Sequence, residues 1–174
     1  LIRRVAEKSR IPVIKHFNGI CHVYLDEFAE PKMAREITLN SKCQRVSVCN
    51  AAETLLVHAS LARTLLPDVL GALAAHGIEL HACARTREHF PSALAASERD
   101  YHTEWLAKTM SVRMVDSLDQ AIEHIRRYGS NHTETIVTQD VTRARAFLRR
   151  VNSSSVFVNA STRFTDGFQL GLGA

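Results

Sequence analysis

Met110-Ser111-Val112-Arg113-Met114-Val115 alternates along its length as a strand does, and the residues after it decide the fold. Ser117 with Gln120 forms a capping-box pattern. Leu118, Ala121, Ile122 and Ile125 then mark one helical face, which Gly129 ends. Thr135-Ile136-Val137-Thr138 reads as the next strand. Asp140 caps a second helix with an expected inner face of Val141, Ala144, Phe147, Leu148 and Val151. Ser155-Val156-Phe157-Val158-Asn159 reads as the last strand. Strands alternating with helices of this length imply an α/β fold, a mostly parallel sheet covered on both faces.

Working outward, the amino-terminal half repeats the alternation. Ile20 to Leu25 reads as a short buried strand. A helix begins at Pro31, a residue suited to a first turn, with Met33, Ile37 and Cys43 facing inward. Thr54 to His58 reads as a second strand. Leu61, Leu65, Leu66, Val69, Leu70 and Leu73 have helical spacing, but Pro67 lies among them, so that helix kinks or restarts there. Gly77 is placed to stop it. Residues 82–104 are the least regular stretch and read as short helices and loop. Ligands of parallel sheets bind beyond the carboxyl ends of the strands. That rule points to the residues from Asn159 onward and to the connection before Glu53. No GxGxxG or P-loop occurs, so no nucleotide-phosphate cradle is visible.

Composition narrows the class. The 174 residues are 45% apolar and 23% charged, which suits one soluble domain with a core. Gly (7) and Pro (4) are too scarce for a linker-rich or collagenous chain. No apolar run approaches the roughly 18 residues of a membrane span. The net charge of +4 is mild and spread out, and interleaved aromatics are missing, which argues against a nucleic-acid binder. Arg143, Arg145, Arg149 and Arg150 read as a solvated helix face. The start at Leu1-Ile2-Arg3-Arg4 reads as amphipathic helix, and the chain is expected to be an excised piece of a longer one.

Four cysteines, at 21, 43, 49 and 83, include no CxxC pair, and the nine histidines form neither HxxxH nor HExxH. A metal site is not expected. Chemistry at sulfur needs an accessible thiol that can ionise. Cys21 lies in an apolar strand and should be buried and inert; Cys43 is near a helix end and Cys83 in the irregular region. Cys49 sits in a polar connection, Gln44 to Glu53, near Arg45 and followed by small residues, and is the leading candidate.

The stretch Cys49-Asn50-Ala51-Ala52-Glu53-Thr54-Leu55-Leu56-Val57 resembles the nucleophile segment of the glutamate-5-semialdehyde dehydrogenases, or γ-glutamyl phosphate reductases, of the aldehyde dehydrogenase superfamily. Three further stretches match in the family's order. They are Ile11 to His16 running on to Gly19 to Tyr24, then Tyr128 to Glu134, and then Val158 to Gly167 leading into Gly171 to Ala174. The resemblance covers essentially the whole chain.

The resemblance implies a catalytic domain of the aldehyde dehydrogenase fold from residue 13 to 174, with residues 1–12 the end of a cofactor-binding domain and the crossover. It implies NADPH-dependent reduction of γ-glutamyl phosphate in proline biosynthesis, with Cys49 as the nucleophile. Glu104 matches the residue that holds a cofactor ribose, and Asn50 and Arg163 are expected substrate contacts. Lys15 and Arg45 are weaker anion candidates. Hydrolytic relatives carry a Glu that activates water; His16 stands at the matching position, in keeping with a thioester that goes to hydride or phosphate. Val46 stands where the family often has Pro, and Phe168-Gln169-Leu170 also departs from its pattern. A glutamate 5-kinase partner or fusion, a homo-oligomer and a cytoplasmic setting are implied; nucleic acid and membrane are not. The isolated stretch is expected to be inactive. The alternatives are a hydrolytic aldehyde dehydrogenase and a non-catalytic module that keeps the fold.

Overall fold

The computed structural model describes residues 2–11 and 18–166. Lys15, His16, the Pro12–His16 part of the second matched stretch, the 12/13 domain boundary and Phe168 to Ala174 lie outside the described residues.

In chain order the elements are α1 (Ile2–Lys8), β1 (Cys21–Leu25), α2 (Pro31–Cys43), β2 (Ala52–His58), α3 (Leu66–Ala75), β3 (Glu79–Ala82), α4 (Ala84–Arg87), β4 (Leu94–Ala95), α5 (Glu98–Tyr101), β5 (Thr109–Val115), α6 (Leu118–Tyr128), β6 (Thr133–Val137), α7 (Val141–Arg150) and β7 (Ser155–Val158). Short 3-10 turns occupy Ala59–Leu61 and Thr162–Phe164. The seven strands form one sheet in the order β4-β3-β5-β2-β1-β6-β7. Every pairing among the described strands is parallel. The chain starts at β1, works outward to β4, returns through β5, and then fills the other side of β1 with β6 and β7.

Alternation along the strands divides the core. Val23, Leu25, Leu55, Val57 and Val112 join Leu66, Val69, Leu70 and Leu73 of α3 on one face. Tyr24, Leu56, Val115 and Ile136 meet Ile122 and Ile125 of α6 and Phe147 of α7 on the other. Each such fully buried side chain contributes about 1.5–3 kcal/mol of burial.

The helix ends reflect local chemistry. The Glu30 carboxylate caps α2, accepting from Lys32 N at 3.0 Å and Met33 N at 2.7 Å. Pro67 falls in the first turn of α3, so the helical spacing from Leu61 restarts there, as expected. Gly77 has φ +75° and its N–H closes onto Ala74 O, ending α3. The capping box of α6 is offset by one residue: Ser117 accepts from Gln120 N, but Gln120 Oε1 accepts from Asp116 N.

Two expectations need correcting. Val141 (63% exposed) and Leu148 (45%) do not belong to the inner face of α7; Phe147 and Val151 do. The helix lies over β6 and the edge strand β7, where the sheet covers only one row of side chains. Arg143 is not part of a solvated face. Its guanidinium reaches Asp26, fully buried at the carboxyl end of β1, at 2.6 Å, and Glu27 at 2.9 Å, so it pins α7 to the sheet. Thr138 Oγ1 and the Tyr24 hydroxyl also donate to Asp26, at 2.8 and 3.0 Å. The short strands β3 and β4, with β4 at the sheet edge, fall where residues 82–104 and the stretch before them show no strand signal.

Candidate functional site

The connections that precede four strands converge at the amino end of the sheet. Gly19 stands before β1, Cys49 and Asn50 before β2, Glu104 and Leu106 before β5, and Ser130 before β6. The carboxyl-end rule therefore misplaces the connection before Glu53, which lies at the opposite end of the parallel strands. Residues after β7 do begin at a carboxyl end, but they do not stay there. Asn159 adopts φ +55° and its side chain bonds both Thr138 N and Thr138 O, which turns the chain back. Thr135 Oγ1 donates to Ala160 O at 2.8 Å, and Thr162 N donates to Ser41 Oγ at 3.2 Å. The returning segment thereby carries Arg163 and Thr165 to Asn50.

Cys49 is exposed, whereas Cys21 is buried and Cys43 and Cys83 are half-buried. Its turn is closed by Ala51 N donating to Val48 O at 3.0 Å. Below it, Gly19 packs on the Cys49 backbone so closely that a Cβ there would stand 2.6 Å from the Cys49 carbonyl carbon. Only glycine allows that approach. Gly19 N donates to Glu104 Oε1 at 2.8 Å, and Ile20 N to Ser130 Oγ at 2.9 Å.

Asn50 is buried, and both ends of its amide are held. Nδ2 donates to Thr165 O at 2.6 Å, and Oδ1 accepts from Arg163 Nη1. Arg163 Nε donates to Gln44 Oε1 at 2.9 Å. Arg163 thus bridges the end of α2 and the residue beside Cys49. A cleft of about 490 Å³, lined by Asn40, Gln44, Arg163, Phe164 and Asp166, opens next to this bridge. A larger hollow of about 660 Å³, lined by Arg113, His124 and Tyr128 among others, lies away from Cys49 between β5 and α6. None of Cys49, Asn50, Glu104 and Arg163 lines it, whereas Arg163 lines the smaller cleft, so the smaller cleft is the one that belongs to the candidate site.

Under the Cys49 turn, Lys42 and Glu53 form a fully buried ion pair at 2.7 Å. Glu53 Oε1 also accepts from Leu106 N at 3.2 Å, which ties in the loop that carries Glu104. Burial pushes the Glu53 carboxyl up to about 7 against the opposing pull of the Lys42 cation, and burial lowers the Lys42 ammonium. The short distance and the matched burial favour the pair over either group alone.

The four site residues expected from the motifs, Cys49, Asn50, Glu104 and Arg163, are therefore gathered around one turn. Arg45 is exposed, four residues before Cys49. Of the residues that build the site's floor, Gly19 and Glu53 fall within the matched stretches with no role assigned to them, and Lys42 and Ser41 carry no signal in the sequence. For Glu53 a signal existed: a carboxylate opening the apolar run Thr54 to Val57 demands a buried partner. Among the described residues no three His, Cys, Asp or Glu side chains are grouped to hold a metal ion.

No protein-family model matches the chain. It is 52% identical over all 174 residues to a gamma-glutamyl phosphate reductase of Carboxydothermus hydrogenoformans, of which it covers 42%. The crystal structure of gamma-glutamyl phosphate reductase from Thermotoga maritima superposes with a TM-score of 0.95 at 42% identity, covering the whole of this chain and 42% of that one. An acetylating aldehyde dehydrogenase from Geobacillus thermoglucosidasius matches 95% of this chain and 45% of its own with a TM-score of 0.71, at 16% identity, which speaks for the fold alone. The chain spans about two fifths of the length of the reductases it matches. In sequence and in structure, then, this is a chain of the aldehyde-dehydrogenase fold that is similar, from its first residue to its last, to part of gamma-glutamyl phosphate reductase.

Proposed function

We propose that the full-length protein carrying this chain reduces L-γ-glutamyl 5-phosphate to L-glutamate 5-semialdehyde and phosphate, using NADPH, as a step of proline biosynthesis. The observation that carries this reading is the assembly of Cys49, Asn50, Arg163 and Glu104 around one turn, in a chain similar throughout to gamma-glutamyl phosphate reductases.

In this reading the Cys49 thiolate attacks the acyl carbonyl and forms a C–S bond. The C–O bond to phosphorus-bound oxygen breaks, and phosphate leaves with the electron pair. Covalent catalysis splits one difficult step into two. The backbone N–H of Cys49 and the second N–H of Asn50 Nδ2 are the donors offered to the developing oxyanion. Arg163, fixed through Gln44, presents its guanidinium at the cleft for a carboxylate or phosphate.

Glu104 fits a nicotinamide cofactor's ribose. Its carboxylate is half-buried beside Cys49 with Oε1 held by Gly19 N, and Oε2 is then the acceptor for a sugar hydroxyl. NADPH, when bound, supplies the hydride that reduces the thioester carbonyl. Breaking of the C–S bond then returns the thiolate to Cys49 and releases the aldehyde.

The domain assignment belongs to the same proposal, with residues 1–12 closing a cofactor-binding domain and the catalytic domain running on from residue 13. The substrate is a small molecule, supplied by a glutamate 5-kinase as partner or fusion, and the parent is a cytoplasmic homo-oligomer. Among the described residues no helix is long and apolar enough to cross a membrane. The stretch of 174 residues by itself is expected not to turn over.

The test monitors NADP reduction by the full-length protein with glutamate semialdehyde, with and without phosphate, beside Cys49→Ala. Strict phosphate dependence that is lost in the variant supports the thioester route. Equal rates without phosphate would move the protein to the hydrolytic dehydrogenases. Equal inactivity of both proteins would leave a retained fold without this chemistry.

A further inference from the structure

We propose that Cys49 and Cys21 form a reversible intramolecular disulfide when Cys49 is oxidised by a hydroperoxide, making this pair a redox modification site.

Cys49 is exposed and Cys21 is fully buried directly beneath it. The Cys21 thiol donates to the carbonyl oxygen of Cys49 itself at 3.3 Å. Standard carbonyl dimensions then put Cys21 Sγ within about 6 Å of the Cys49 Cα. A disulfide needs Cα atoms about 4.4–6.8 Å apart, a span compatible with that approach, and the Cys49 turn is the part that shifts to bring the two sulfurs together. That turn belongs to no helix or strand. Cys43 and Cys83 have no described contact with Cys49; Cys83 Sγ is instead 3.2 Å from Thr86 Oγ1.

The chemistry balances in two steps. The Cys49 thiolate attacks one oxygen of the peroxide, its O–O bond breaks, hydroxide leaves, and Cys49 becomes a sulfenic acid. Cys21 sulfur then attacks the Cys49 sulfur: the S–S bond forms, the S–O bond breaks, and the hydroxyl leaves with the Cys21 proton as water. Cys49 is oxidised in the first step and shares that oxidation with Cys21 in the second. His132 Nδ1 lies 3.6 Å from Cys21 Sγ, where it can take the thiol proton as the sulfur attacks and pass it to the departing hydroxyl, which leaves as that water. Burial holds the Cys21 thiol protonated, which keeps it inert toward oxidant in bulk solvent until Cys49 is modified.

The proposal needs an accessible Cys49 and not its part in acyl transfer, so it stands or falls apart from the function proposed above. The test treats the reduced full-length protein with hydrogen peroxide and maps its peptides without reduction. The expected result is a Cys21–Cys49 linked peptide, with dithiothreitol restoring the Cys49 thiol. In Cys21→Ser, Cys49 should pass to sulfinic acid, and thiol recovery should fall by about tenfold or more. Cys49 oxidised to sulfinic acid in the wild type with Cys21 still reduced, or Cys49 linked to Cys43 or Cys83, overturns the proposal. Mapping of the wild type decides the matter even if the buried serine prevents folding.

Discussion

Gly19 and Cys49 meet backbone to backbone, with the Cys49 Cα 2.8 Å from where a Gly19 Cβ would be. Contact between carbon atoms is ordinary only near 3.5–4.0 Å. Gly19→Ala must therefore push the Cys49 turn outward or break the Gly19 N–H bond to Glu104. Neither Gly19 nor Cys49 belongs to the two apolar clusters that hold the sheet, so the sheet should survive. We expect turnover by the full-length protein to fall roughly 100-fold, the size of effect that a displacement of about 1 Å produces. Far-ultraviolet circular dichroism should stay unchanged, and the rate of Cys49 alkylation by iodoacetamide should change. An alkylation rate and turnover equal to wild type would show that the close approach does not position the thiol.

Asn50 and Arg163 act as a unit in the structure, because the Asn50 amide is held at one end by Thr165 and at the other by Arg163. Arg163→Lys keeps the charge and loses the fork that reaches Gln44 and Asn50 together. We expect about a 10- to 100-fold loss in kcat/KM, a loss of about 1.4–2.7 kcal/mol in transition-state stabilisation. Combining Arg163→Lys with Asn50→Ala should add little beyond the larger single effect, since groups in one network do not add. Strictly additive losses would mean the two side chains act separately.

Much of this architecture is legible locally. Pro31 with the apolar spacing of Met33 and Ile37 marks α2, and Gly129 marks the end of α6. Strands β3 and β4 are not. Glu79-Leu80-His81-Ala82 has two apolar residues, and Leu94-Ala95 is exposed; β3 is a strand because β5 lies alongside to pair, and β4 because β3 does, which are long-range causes. Val141 and Leu148 have the right spacing for burial, but the edge of the sheet does not extend beneath them. In the site, motif reading named Cys49, Asn50, Glu104 and Arg163. It gave no reason why Arg163 should meet Asn50, 113 residues away, because the left-handed turn at Asn159 decides that. Nor did it suggest the buried Lys42–Glu53 pair, since charges 11 residues apart become partners only when α2 lies on β2.

His124 supplies a pH dependence. It is buried against His22, Tyr101 and Tyr128, and neither ring nitrogen has a hydrogen-bond partner among the described residues. Burial, with the neighbouring His22 and arginines, pushes it down to about 2. An unfolded histidine titrates near about 6.5. Between those values the unfolded chain binds the extra proton, so the stability is fully present above roughly pH 6.5 and falls as pH drops. The slope from this one group is about 1.4 kcal/mol per pH unit at most. His124→Phe keeps the ring contacts and removes the titration. Urea midpoints measured across the mildly alkaline to mildly acid range, about pH 7.5 to 4.5, should fall less steeply in the variant, and parallel curves would contradict the assignment.

The Lys42–Glu53 pair makes the sharpest stability prediction. Both side chains are fully buried 2.7 Å apart, and Glu53 also holds Leu106 N. Removing Lys42 alone, as Lys42→Met, leaves a carboxylate in the core without its cation. Breaking such a pair from one side costs about 3–5 kcal/mol, whereas replacing both partners with neutral groups of similar size is often close to neutral. The carboxyl, already raised by burial, should then rise further and take up a proton on folding. With the folded value raised above the unfolded one, the destabilisation should be least at acid pH and grow as pH rises through the folded value. Lys42→Met with Glu53→Gln should recover most of the loss, because Gln can still accept from Leu106 N. Urea unfolding of the two singles and the double at about pH 5 and about pH 8 gives the answer. A double variant as unstable as Lys42→Met alone would show that the ammonium's packing, and not its charge, supports the Cys49 turn.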